Sequence, residues 1–199
     1  DLTLSNECYE LKYSFLSPTG RIRNKLKKLS IKKYNLSNGL VFKKNKTYLV
    51  KLNEKLNLKT TIKGKCNPKS STGRLDIFCR TILDKSNEYE KIPYKYKGEM
   101  FLEITCKSFK IKFHEGDSLN QMRLVYNNNI YLNDKDLVKI NKTKKLCFSN
   151  NKAIFENGLK LTIDLSNDKK ICAYRSKINA PLVYFSKNKY HKHKKYWEP

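Results

Sequence analysis

Apolar and polar residues alternate with a period of two along much of this chain. ECYELKYSFL, KTYLVKL, KTTIKGKC, RLDIFCRTIL, GEMFLEITC, SFKIKFHEG and NQMRLVY alternate or cluster β-forming residues, and turn formers separate several of them. The pattern predicts a mainly β fold. A helical period at Ile22, Leu26 and Leu29 predicts a short helix over 22–29, and a second helix is expected over 134–139 behind a cap at Asn133 or Asp134.

Asn127 to Asn129 read as a polar turn, and 139–152 is a Lys/Asn-rich stretch of low information around Leu146, Cys147 and Phe148. These divide the chain into a first domain over 1–128, a linker with a short helix over 129–152, and the beginning of a second domain over 153–199. In that last part GLKLTIDL and KKICAYRSK read as strands, and KNKYHKHKKYWEP reads as a basic tail without an evident strand partner.

With 199 residues, of which 39% are hydrophobic and 12% aromatic, the chain can bury a core without metal or disulfide staples. Its six cysteines, Cys8, Cys66, Cys79, Cys106, Cys147 and Cys172, include no CxxC pair, which argues against a zinc knuckle and fits a reduced, cytoplasmic setting. No apolar run is long enough to span a membrane, and DLTLSNECYE lacks a secretory pattern. The net charge of +25 would attract polyanions, but the lysines are spread over every segment alongside abundant Asn, Ile and Tyr. An AT-rich coding sequence produces that composition, so nucleic acid is not expected to be the main partner.

Three stretches carry candidate chemistry. NPKSSTGRLDIFCR gathers Lys69, Ser70, Ser71, Thr72, Gly73 and Arg74, with Arg80 nearby. Its backbone N–H groups and hydroxyls suit phosphate oxygens, Gly73 permits close approach, and Lys69 and Arg74 would meet the charge. The Walker pattern is absent, and an ordinary connecting turn explains the composition equally well. In GEMFLEITC, alternation places Glu103 with Phe101 and Thr105, opposite Leu102 and Ile104. Partial burial would raise its pKa towards that of a general base, whereas a solvated edge position would leave a plain surface carboxylate. In GDSLNQMRL, a turn leads into a strand carrying Gln121 and Arg123. His114 with Glu115, and His191 with His193, do not make a metal site by themselves.

Taken in order, DLTLSNECYELKYSFL, YLVKLNEKLNL, NPKSSTGRLDIFCR, YKGEMFLEI and GDSLNQMRL resemble the bacterial 2′-deoxycytidine 5′-triphosphate deaminases, in the long form built from tandem deaminase-like halves. GLKLTIDL, AYRSK and YWEP resemble the start of the second half. The resemblance implies a dUTPase-like (β-clip) distorted β-barrel, with active sites formed between subunits of a homotrimer or of a tandem pseudo-trimer. It implies that Ser70, Ser71 and Arg74, led by Lys69 and continued by Thr72 and Gly73, bind the nucleotide phosphates and flank the base. It makes Glu103 the proton-transfer residue, with Ser70 and Arg74 orienting the water. Tyr96 would lie under the sugar, and Phe101, Leu102 and Gln121 would complete the substrate site.

The implied reaction converts dCTP to dUTP and ammonia without zinc, since the HxE and PCxxC pattern of zinc deaminases is absent. Magnesium would accompany the triphosphate. IPYKYKG departs from the family pattern by placing Pro93 where relatives carry the Asp that contacts the 3′-hydroxyl, which weighs against triphosphate hydrolysis. A dUTPase or bifunctional deaminase-diphosphatase, and a non-catalytic nucleotide or nucleic-acid binder on the same fold, are the alternatives. The chain opens without Met and stops at Pro199 before any second Ser-Ser-x-x-Arg turn, so it reads as processed or partial.

Overall fold

A computed structural model describes residues 1–126, 132–147, 152–163, 166, 168, 171–187 and 190–199. The first 126 residues form β1 (Leu4–Leu11), α1 (Ile22–Leu29), β2 (Ser30–Asn35), β3 (Leu40–Phe42), β4 (Thr47–Asn57), β5 (Ile62–Pro68), α2 (Ser70–Arg74), β6 (Ile77–Leu83), β7 (Lys91–Ile92), β8 (Lys97–Cys106), β9 (Ile111–Phe113) and β10 (Asn120–Tyr126). Further on lie α3 (Asp134–Thr143), β11 (Ile154–Phe155), β12 (Leu159–Lys160), β13 (Arg175–Ser176), β14 (Val183–Tyr184) and β15 (Trp197–Glu198).

The central sheet has the order β2-β1-β4-β8-β6, so β8, which carries Glu103, is an interior strand paired antiparallel on both sides. Because strand side chains alternate, β8 feeds two separate cores. Leu102 and Ile104 join the larger one with Cys79, Phe109 and Leu119, while Phe101 joins a smaller one with Leu49 and Ile82. Helix α1 covers that smaller core with Ile22 and Leu26, and its first free N–H is capped from outside by Asp84, whose Oδ1 lies 2.7 Å from Ile22 N.

Among the described residues no sheet closes on itself, so the expected barrel takes the form of open sheets of five, three, three, two and two strands. Two- and three-residue pairings such as β5 with β7 and β3 with β9 are too short to carry a sheet round to its own edge. Most expected strands are present. Only Leu159–Lys160 of GLKLTIDL and Arg175–Ser176 of KKICAYRSK pair, and the rest of those stretches partly lies outside the described residues, as do Asn127 to Asn129 and Phe148.

The compact units are Asp1–Asn127 with Tyr174–Pro199, and separately Asn128–Ala173, which differs from the expected division of 1–128 from 153–199. The expected unpaired tail has partners. Within it β15 pairs with β13, and Tyr196 and Trp197 set their rings edge-on to Phe109 at 5.6 and 5.0 Å; just ahead of it β14 adds parallel to β9. Burial of these large apolar side chains holds the segment in the first unit. In the other unit α3 starts where expected, with Asn133 Oδ1 accepting from Asp136 N at 3.0 Å. Asp134 then accepts from the N–H groups of Asn157 and Gly158, which fixes the turn between β11 and β12.

A charged clamp ties α1 to the sheet. Arg23 donates to both oxygens of Glu7 on β1 (2.9 and 3.1 Å) and to both of Glu99 on β8 (2.6 and 3.0 Å). These bonds hold the Glu7 carboxyl down at about 2 and lower that of Glu99. A depressed folded-state pKa contributes stability above the unfolded value and loses it as pH falls. Arg23→Met should therefore cost about 2 kcal/mol at pH 7, with the deficit shrinking between about pH 4.5 and pH 2, as read from urea midpoints across that range.

Candidate active site

Glu103 is 2% exposed, although its face of β8 meets Phe101 and Leu49 and it sits mid-strand. It is neither an edge carboxylate nor only partly buried. In register with it on β6 stands Arg80, whose Nη2 and Nε donate to Oε1 at 2.6 and 3.2 Å. Arg80 is held in turn: its guanidinium lies 3.7 Å from the ring centre of Tyr89 and 4.8 Å from that of Phe78, and Nη2 also donates to Ser14 Oγ at 3.0 Å. Glu103 Oε2 is also buried and has no hydrogen-bond partner among the described residues. One oxygen is thus fixed by a cation, and no protein donor among the described residues holds the other.

SSTGR, read from sequence as a turn, is the single helical turn α2. Thr72 anchors it, fully buried, by donating from Oγ1 to Leu119 O at 2.8 Å, and Leu75 packs on the larger core. Ser70, Ser71, Gly73 and Arg74 are exposed, and a Cβ on Gly73 would meet no atom within 4 Å, so the space in front of it is open. Ser71 and Arg74 line a cleft of about 300 Å³. Lys69 turns elsewhere, with Nζ donating to Asp1 at 2.5 Å and Ser118 at 3.5 Å.

The other expected site residues divide. Gln121 is exposed on β10, opposite Asn67. Phe101 and Leu102 are fully buried in opposite cores, and Tyr96 is 7% exposed within the larger core, with its hydroxyl donating to Glu99 O. In a single chain these three pack rather than face an open site. Glu90, unremarked in the sequence, pins the segment before IPYKYKG by accepting from Thr81 N and Asn120 Nδ2, and burial raises its carboxyl pKa.

The chain does not bring Glu103 to the turn. Glu103 points to the face of the smaller core, whereas α2 is fastened through Thr72 and Leu75 on the side of the larger core. Arg80, which sequence reading grouped with the turn, belongs to Glu103 instead. An arginine among the apolar residues of DIFCRTIL was the available signal, but only strand register assigns its partner.

The model of the 2′-deoxycytidine 5′-triphosphate deaminase N-terminal domain matches residues 1–128, and that of the C-terminal domain matches residues 133–199. The chain belongs to the 2′-deoxycytidine 5′-triphosphate deaminase family. A crystal structure of 2′-deoxycytidine 5′-triphosphate deaminase from Agrobacterium tumefaciens is similar over 100% of this chain, at 34% identity and a TM-score of 0.89. The chain spans 60% of that protein's length. No curated protein sequence matches significantly. The mainly β architecture is the dUTPase-like one of this deaminase family, built with open sheets.

Arg80→Met should leave the Glu103 carboxylate buried without its cation and cost about 3 kcal/mol at pH 7. Combined with Glu103→Gln, the loss should be well below the sum of the single losses in thermal or urea unfolding; strict additivity would contradict the pairing.

Proposed function

We propose that the protein is a hydrolytic dCTP deaminase, converting dCTP and water to dUTP and ammonia in pyrimidine deoxynucleotide metabolism. The observation that carries this reading is Glu103, buried and held at one oxygen by Arg80, with Oε2 unpartnered among the described residues. Glu103 takes a proton from water as the oxygen attacks C4 of cytosine, then returns it to the departing amino group; the C4–N bond breaks and ammonia leaves. Ser70 and Arg74 orient the water, and Ser71 with the backbone around Gly73 receives the phosphates. The substrate is the magnesium complex of dCTP, with the metal borne by phosphate oxygens; among the described residues no group of three His, Cys, Asp or Glu would hold a metal ion.

Because Glu103 and α2 occupy opposite sides of one chain's sheet, a second copy supplies one of them, and the working unit is a homo-oligomer. Tyr96 and Phe101 shape the hairpin and strand that this second copy presents. The setting is cytoplasmic. Four cysteines, Cys8, Cys66, Cys79 and Cys106, are buried thiols, and burial pushes the last three up to about 12. Among the described residues no helix is long and apolar enough to cross a membrane.

Incubation with dCTP and magnesium is expected to release ammonia and form dUTP; absence of ammonia would overturn the reading, and pyrophosphate release from dUTP would assign a diphosphatase instead. Glu103→Gln should lower kcat about a thousand-fold while dCTP affinity stays within about three-fold. Unimpaired turnover would reject Glu103 as the base.

A further inference from the structure

The segment between β6 and β7 does more than connect them. β6 is the last strand of the central sheet, and Thr81 turns both of its backbone groups to the free edge. There Thr81 N donates to Glu90 Oε1 at 3.0 Å, and Thr81 O accepts from Glu90 N at 3.1 Å, so one residue supplies both halves of a missing strand pairing. Asn120 Nδ2 reaches the same carboxylate at 3.2 Å and Thr81 Oγ1 at 2.9 Å, and Glu90 O accepts from Cys66 N at 2.8 Å. Glu90 does this at a φ of 64°, a left-handed conformation that residues with long side chains rarely adopt. Such a kink persists where the surrounding bonds fix it.

The residue before the kink faces the other way. Tyr89 packs on the smaller core, and its ring centre lies 3.7 Å from the Arg80 guanidinium. Its hydroxyl is 3.0 Å from Ser14 Oγ, which also accepts from Arg80 Nη2 at 3.0 Å. Successive strand residues point to opposite faces, so Tyr89 and Glu90 grip Arg80 and Thr81, neighbours on one strand, from its two sides. Arg80 needs the grip. Its side chain is 27% exposed, and Phe78, the other ring beside it, is itself 51% exposed. Without Tyr89 the guanidinium could turn to water, and Glu103 Oε1 would lose the donors that lie 2.6 and 3.2 Å away.

We propose that Tyr89 and Glu90 are positioning residues for the deamination. Glu90 anchors the segment to the edge of β6, the left-handed kink turns Tyr89 back across the strand, and the ring holds Arg80 where it fixes Glu103. This rests on the deaminase reading and extends it to two residues that act through Arg80.

The test measures kcat and KM for ammonia release from dCTP in Tyr89→Leu, Tyr89→Phe and Glu90→Ala, with the unfolding midpoint of each protein followed alongside. Tyr89→Leu is expected to lower kcat about thirty-fold with KM within about three-fold, and Tyr89→Phe, which keeps the ring, to recover most of that loss. Glu90→Ala should lower kcat by a similar factor, and the Tyr89→Leu/Glu90→Ala double variant should fall no further than the worse single variant. Tyr89 is only partly buried, so its two variants fold and decide the proposal even where Glu90→Ala does not. A role in stability alone would lower the midpoint of Tyr89→Leu and leave kcat of the folded protein unchanged. That result would overturn the proposal and leave the deaminase reading standing. So would a loss confined to KM, a loss that Tyr89→Phe does not recover, or losses that multiply in the double variant. Absence of ammonia with the unaltered protein would overturn both readings.

Discussion

A carboxylate at the centre of a β-sheet, cut off from water on a face otherwise filled by Leu49, Phe101 and Ile82, persists only if a fixed cation offsets its desolvation. Arg80 is that cation, and the structure spends Phe78, Tyr89 and Ser14 on holding it in place. The arrangement leaves Glu103 asymmetric, with Oε1 saturated and Oε2 open. The proposed proton transfer needs such a group, positioned by packing and held by a neighbour at one oxygen only.

The same sheet that buries Glu103 also separates it from the α2 turn. α2 is seated by Thr72 and Leu75 on the larger core, and the C-terminal segment builds against it there through β9 and Phe109. On the proposed reading each chain therefore presents two half-sites, one acidic and buried at Glu103, the other cationic and hydroxylic at α2. The proposed joining of copies brings the two together around one substrate.

Much of this was legible before the structure. Alternation in MFLEITC put Glu103 on the face of Phe101, the Ile22, Leu26 and Leu29 stripe gave α1, and Asn133 capped α3. What was hidden depends on register and on long-range pairing. Arg80 could be matched to Glu103 only once β6 lay beside β8, and Arg23 to Glu7 and Glu99 only once α1 crossed the sheet. The tail KNKYHKHKKYWEP misled because its lysines dominate its composition, whereas its fate is set by Tyr196 and Trp197, which find Phe109 some ninety residues earlier.

The central claim is that catalysis joins Glu103 of one copy to the turn of another. Subunit exchange tests it most directly: Glu103→Gln and Arg74→Met proteins, each inactive alone, are mixed under conditions that allow copies to exchange, and ammonia release from dCTP is followed. The account predicts that activity returns on mixing, because some interfaces then pair an intact Glu103 with an intact Arg74. Exchange demonstrated by differently labelled chains, with no activity regained, would contradict it.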